Sequence, residues 1–413
     1  MVVLVGCGEG SQGDLGPDKA RGEYQVPSSP APTQGSSAPV PTKDKIFNRY
    51  SCTEDGPKSF SSPFFPTDLI TAILPMGKVS AGSGHVTPTD HLYVHRDVPA
   101  GADVEYFLAP ADGAIVHIQR YNHDKPLDRE NQSSPMVPDY RLILMHSCTF
   151  FTIFIHLGEL APAVAEKTGE IPSGASWSAT RTVPIQVNAG EPIAKFGQLS
   201  NDWSVHDTNT TLAGFVVPEH YEAEPWKIHT VDPFQFYDEP LKSDLLSKVV
   251  RKVEPRAGKI DYDAEGTIAG NWFLEGTVDY SGGGLGTPRY WNGHLSIAYG
   301  YIDPSQVRIA IGSATDINDD LYCRICFGAY GVRGNEPDPM TVGPESGLVK
   351  YELMSRRSEG FGDFAIREQV GDTSLGTFLV QHLGDRTIRI EVIAGKPPHA
   401  VSGFSDAALT YRR

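Results

Sequence analysis

Along residues 45–240, apolar residues recur in short runs broken by Pro and Gly: Val104–Leu108, Ala114–Arg120, Tyr140–Met145, Phe150–His156 and Thr182–Val187. Short runs rich in Val, Ile, Tyr and Phe, bounded by turn formers, predict β-strands. From Gly258 to Arg413 the same pattern returns at Leu295–Tyr299, Val307–Ile311, Leu348–Leu353, Thr377–Gln381 and Thr387–Val392, between Gly, Asp-Pro or Asn turns. That spacing suits a β-sandwich or a barrel. Between the two stretches, Lys242–Val253 places Leu245, Leu246, Val249, Val250 and Val253 at helical spacing and stops before Pro255, which predicts a short linker helix. Residues 8–44 are mostly Gly, Ser, Pro, Thr, Ala and Gln, with too few apolar groups to offset the entropy of ordering. The expected organisation is an N-terminal segment and tether over 1–44, a β domain over 45–240, a linker over 241–257 and a second β domain over 258–413.

Composition supports a mostly β chain: 42 Gly and 32 Pro among 413 residues favour strands and turns over helices. A net charge of −16 without any Lys/Arg-rich run repels phosphate backbones and sets nucleic acid aside as a partner. No stretch approaches the ~20 apolar residues of a transmembrane helix. The start is informative: Leu4-Val5-Gly6-Cys7, behind Met1-Val2-Val3, resembles a bacterial lipoprotein signal box. The resemblance implies an extracytoplasmic protein of the bacterial cell envelope, touching the membrane only through lipid on Cys7. In such a compartment the four other cysteines permit two disulfides, most simply Cys52 with Cys148 and Cys323 with Cys326. Cys323 and Cys326 have the spacing of half a zinc site, with no second pair to complete it.

Histidines carry the candidate chemistry. His91 and His95 stand four residues apart in His91-Leu-Tyr-Val-His95, between Asp90 and Asp97. In a regular strand these positions share a face about 13 Å apart, so a common metal would need a turn or bulge between them. Further on come AIVHIQ after Asp112-Gly113, YRLILMHSCTFFTIFIHLGEL (Tyr140–Leu160), VPIQVNAGEPIAKFG (Val183–Gly197) and WSVHD (Trp203–Asp207). In order and spacing, the succession over residues 85–210 resembles the M23 family of lysostaphin-type zinc metallopeptidases. That family has a His-x3-Asp motif, a V-x-A-x-x-D-G hairpin, a strand ending in His-Leu and a closing His-x-His.

The resemblance implies an M23-like antiparallel sheet or open barrel and a resident Zn2+. It implies His91, His95 and His206 as metal ligands, with His95 where the family has Asp. It places His156 on the catalytic strand, to orient water or stabilise an oxyanion. Ser204 stands at the other catalytic position, where the family has the first His of its closing pair. The implied activity is hydrolysis of an amide in peptidoglycan or another envelope polymer or peptide by metal-activated water. Three neutral imidazoles leave one vertex of a tetrahedral zinc for water, and trading a carboxylate for His makes that water easier to deprotonate. Two alternatives stay open: a catalytically degenerate binding or scaffold lipoprotein, and a three-histidine zinc hydrolase of esters or other carbonyl compounds.

Among the remaining candidates, His85 can take the place of His95 if its loop folds back. Asp90 and Asp97 can orient the imidazoles. Asn122–Asp139 and Glu159–Arg181 read as long loops. Aromatic residues of 258–312 such as Trp272, Tyr280 and Tyr290 read mainly as core.

Overall fold

Fully apolar runs become central strands and alternating runs become strands with one wetter face, and the chain assembles them into two antiparallel sheets. The computed structural model describes residues 58–80, 84–96, 105–122, 124–126, 136–180, 182–197, 200–282, 290–312, 329–361 and 364–413. Its strands are β1 (Ile70–Leu74), β2 (Leu92–Arg96), β3 (Tyr106–Leu108), β4 (Gly113–Arg120), β5 (Lys125–Pro126), β6 (Met136–Val137), β7 (Tyr140–Met145), β8 (Phe150–Leu160), β9 (Ser176–Ser178), β10 (Ile185–Val187), β11 (Pro192–Phe196), β12 (Ser200–Asp207) and β13 (Thr230–Val231). They continue with β14 (Gly270–Leu274), β15 (His294–Tyr299), β16 (Val307–Ile311), β17 (Ala329–Val332), β18 (Val349–Phe361), β19 (Phe364–Gly384), β20 (Thr387–Ala394) and β21 (Leu409–Arg412).

The first sheet has 11 strands around the path β1-β2-β12-β8-β7-β4-β10. One face packs on a large core in which Trp203 stacks on Phe64 at 4.0 Å, with Phe107, Phe154 and Phe196 alongside. The other face carries a smaller apolar group, Val116, Ile143, Phe151 and Ile153, with Ile155 and Trp226 at its margin. The second sheet, β14 to β21, closes on itself as a barrel and is filled by Trp272, Ile297, Ile309, Tyr351, Phe378 and Ile390. The chain is therefore mostly β, with two β-rich halves.

Two segments expected to be simple loops or helix behave otherwise. Glu159–Arg181 completes β8, forms helix α1 (Pro162–Thr168) with Val164 buried beneath it, and adds β9 to the edge of β4. The linker helix α2 spans only Leu241–Lys248, because Val249 turns extended, is buried, and bridges Ile73 of β1. A tertiary strand contact outcompetes helical spacing there.

Cys148 is disulfide-bonded. Cys52, the Cys323–Cys326 pair, Cys7 and Asp97 lie outside the described residues. In the barrel, β18 and β19 run on as a ribbon: Arg356, Arg357, Ser358 and Glu359 pair with Val370, Gln369, Glu368 and Arg367. The neighbouring barrel strands pair with these strands at Leu353–Met354 and from Gly376 onward. Glu368 ties the ribbon back to the barrel, its carbonyl accepting from Gln306 Nε2 at 3.0 Å and its carboxylate lying 3.8 Å from Arg308 Nε. Exposed ion pairs, Arg357 with Asp372 and Arg367 with Glu359, line the ribbon.

Candidate functional site

The site is built on an irregularity of β8. Opposite β7, Leu157 pairs with Tyr140 and Phe154 with Leu142, so Ile155 and His156 together face the single residue Arg141. Two residues against one is a β-bulge, a device that re-aims a side chain and recurs beside active sites. His156 takes the left-handed conformation, φ 66°. Its carbonyl accepts a hydrogen bond from the Asn201 Nδ2 amide, and Gly197 leaves room for that carbonyl, since a Cβ there would overlap the oxygen.

The bulged imidazole faces a cavity of about 240 Å³ on the sheet face opposite the main core. His91, just before β2, lines it from one side, and Asp202 of β12 lies between the two histidines. His91 Nδ1 donates to Asp90 Oδ1 at 3.1 Å, and its Nε2 lies 3.4 Å from Asp202 Oδ2. His156 Nδ1 donates to Asp139 at 3.1 Å, and its Nε2 lies 3.6 Å from the same Asp202 oxygen. Asp139 and Asp202 are buried, whereas the His156 side chain is 32% exposed.

With both Nδ1 protons committed to carboxylates, the two Nε2 atoms turn lone pairs toward an anionic oxygen. Three acceptors facing one another require a positive charge among them, either a proton or a cation. The site's charge balance points the same way. Burial alone would lower the His91 pKa, but Asp202 and Asp90 overcome it and raise the pKa. Burial likewise works to raise that of Asp90, yet Lys227 and His91 hold its carboxyl well below the usual range.

Of the residues expected from sequence, His91, His156 and Ser204 line the cavity together. His206 lies beneath it, fully buried. Its Nδ1 proton goes to the Trp226 carbonyl at 3.1 Å and its Nε2 accepts from Ser204 Oγ at 2.9 Å. Burial pushes its pKa down to about 4, so it stays neutral. His95 follows His91 and Tyr93 along β2, is buried, and does not line the cavity. His85 does line it, with its Nδ1 at 3.4 Å from the Tyr93 hydroxyl. The structure thus brings His91, His156 and Ser204 to one space, His206 into contact with it through Ser204, and leaves His95 aside.

Four functional groups come from positions the sequence reading passed over: Asp202, Asp139, Arg141 and Glu224. Asp202 was within reach, since in a strand Asp202, Ser204 and His206 fall on one face. Asp139, at the end of a supposed loop, carried no such signal. The barrel also contributes. Tyr280 and Tyr290, in the connection from β14 to β15, form part of the cavity wall. The Tyr280 hydroxyl donates to Glu224 at 2.8 Å. Burial, followed by the Asp90 charge, raises the Glu224 pKa.

No family model and no curated protein matches this chain. Among the described residues no helix is long and apolar enough to cross a membrane.

Donor chemistry decides how a metal would fit. Zinc bonds of 2.0–2.2 Å in a tetrahedron put neighbouring donors about 3.3–3.6 Å apart. The separations of Asp202 Oδ2 from both Nε2 atoms fall at that edge length. His91 Nε2 is buried and makes no hydrogen bond, and each imidazole is backed by a carboxylate, the usual support of a metal-bound His. Two imidazoles and one carboxylate are also the donor set of zinc hydrolases. His91, His156 and Asp202 suit a divalent cation in kind, and each imidazole does so in its spacing from Asp202. Among the described residues no group of three or more His, Cys, Asp or Glu side chains is arranged so as to hold a metal ion. The set of His91, His95 and His206 does not fit, because both His206 nitrogens are already engaged by the protein.

Proposed function

We propose that this chain is a divergent M23-like hydrolase of the bacterial cell envelope that cleaves an amide in peptidoglycan or a related polymer, with His91, Asp202 and His156 holding a zinc ion. What supports this reading is the single oxygen of Asp202 facing two imidazoles, each anchored from behind by its own aspartate. When bound, the metal supplies a Lewis acid and a nucleophilic water at neutral pH.

The chain's own groups do the rest. Asp90 and Asp139 fix the tautomers of His91 and His156, so that both Nε2 lone pairs face the cavity. Glu224, with its raised pKa, can take a proton from water at its carboxylate oxygen and return it to the leaving amine, steadied by the Tyr280 hydroxyl. Tyr280 and Tyr290 wall the cavity on the barrel side, where their rings can limit the water around a bound substrate.

The test is metal analysis of the purified full-length chain together with digestion of peptidoglycan fragments, acetylated peptides and simple esters. About one zinc per chain with amide cleavage supports the proposal, and both should be lost in Asp202→Ala. Zinc with ester cleavage alone moves the reading to a different carbonyl hydrolase. No zinc and no turnover leaves the degenerate binding module, which Ser204 in place of a catalytic His would permit.

A further inference from the structure

Arg141 is the cavity residue for which the hydrolytic roles above have no use. It stands on β7 opposite the bulge, so the register that re-aims His156 also sets a guanidinium across from it. Its side chain lines the cavity and lies over the Trp226 ring at 4.8 Å. Its Nε is buried with no hydrogen-bond partner. A half-buried guanidinium that is stacked on an indole and whose buried Nε has no acceptor is suited to a planar anion, because its fork of N–H groups matches a carboxylate.

The charge around it fits an anion only under one condition. Asp90, Asp202 and Glu224 face Arg141 and Lys227 across the lining, three carboxylates against two cations. A divalent cation in place of the proton shared by His91, Asp202 and His156 would raise the balance by one charge, from 0 to +1. Lys227 competes poorly for an incoming anion, since its Nζ is buried and already donates to the Pro88 carbonyl at 2.6 Å.

We propose that Arg141 is the carboxylate seat of this site, so that its substrate is a peptide bearing a free carboxylate close to the scissile amide. The carboxylate is either the α-carboxylate of a chain end or an acidic side chain. The inference rests on the hydrolase reading: cleavage needs the chemistry of the proposed metal, and binding of an anion needs its charge.

The experiment is calorimetric titration of the full chain, zinc-loaded and chelator-treated, with three probes: N-acetyl-Ala-Ala as free acid, the same dipeptide as C-terminal amide, and N-acetyl-Glu-Ala amide. We expect at least one acid to bind the zinc-loaded chain tenfold or more tightly than the plain amide. The free acid winning identifies a chain end, and the Glu probe winning identifies a side chain. Arg141→Gln should bring the ratio close to one, while Arg141→Lys should keep part of it and serve as the folding control. Equal binding of acids and amide by the parent chain overturns the proposal. So does a preference that survives in Arg141→Gln, which would place the carboxylate on the metal instead. Absence of turnover with the acid preference intact would count against the hydrolase reading alone.

Discussion

Asp139 grips His156 across the bulge of β8: the buried carboxylate accepts the imidazole Nδ1 proton at 3.1 Å, fixing Nε2 as the atom that faces the cavity. Replacing Asp139 with Asn removes the charge while nearly keeping the shape. The variant should lose the fixed tautomer of His156, read as a changed pair of ring-nitrogen shifts by NMR. Zinc affinity should fall roughly 10- to 100-fold, the usual cost of losing such a carboxylate. Unchanged shifts would show that the ring is oriented by something else.

Gly197 is a steric necessity for the same bulge. Gly197→Ala drives a methyl group into the His156 carbonyl oxygen. Overpacking of this kind costs about 1–3 kcal/mol, measurable as a lower urea midpoint. Because the strain falls on the bulged residue, zinc binding should weaken as well. Full stability in this variant would mean that the bulge can relax freely.

Ser204 serves His206 from the floor of the site. Ser204→Ala would leave His206 Nε2 buried without its hydroxyl donor, which costs about 1–3 kcal/mol. We expect a destabilised protein that retains its zinc, since neither residue belongs to the proposed ligand set. Loss of zinc in this variant would restore His206 as a ligand.

A pH dependence follows from His294 in the barrel. Its ring is fully buried, donates from Nε2 to the Tyr280 carbonyl at 2.9 Å, and has its pKa lowered by burial to about 4. The unfolded chain, with a His pKa near 6.5, binds that proton more readily than the folded chain between about pH 6.5 and 4. Stability is therefore whole above pH 6.5 and falls as pH drops toward 4, by roughly 3 kcal/mol from this group. His294→Gln, which does not titrate, should flatten that part of the slope in urea titrations run at several pH values. An identical slope would assign the loss to other groups.

Much of the strand pattern was legible because it depends on local alternation and turn residues: Tyr140–Met145 and Val307–Ile311 are strands with the expected bounds. The helix was legible in place and not in length, because the pairing of Val249 with Ile73 is a tertiary event with no local trace. In the site, the family resemblance pointed to His91, His95, His156, Ser204 and His206, of which His91, His156 and Ser204 line one cavity and His95 does not. It could not reveal that His206 spends both nitrogens on Ser204 and Trp226. Asp202, two residues before Ser204 on the same face of β12, was within reach of the strand alternation and was passed over. Arg141 was hidden for a different reason: its position follows from a one-residue register slip between β7 and β8, which no periodicity announces.

Among the described residues, the long ribbon of β18 and β19 runs on past the strands that pair with it, and its outer edges present strand backbone around Arg357–Glu359. Such edges invite further strands to stack on them and can seed fibrils. The guanidinium and carboxylate side chains of Arg357, Glu359, Arg367 and Asp372 make that stacking costly, because an incoming strand would have to strip water from charges of both signs. Exchanging these four residues for Val would turn a guarded protrusion into an adhesive one, and concentrated solutions of such a chain should gel or form filaments where the parent stays dispersed.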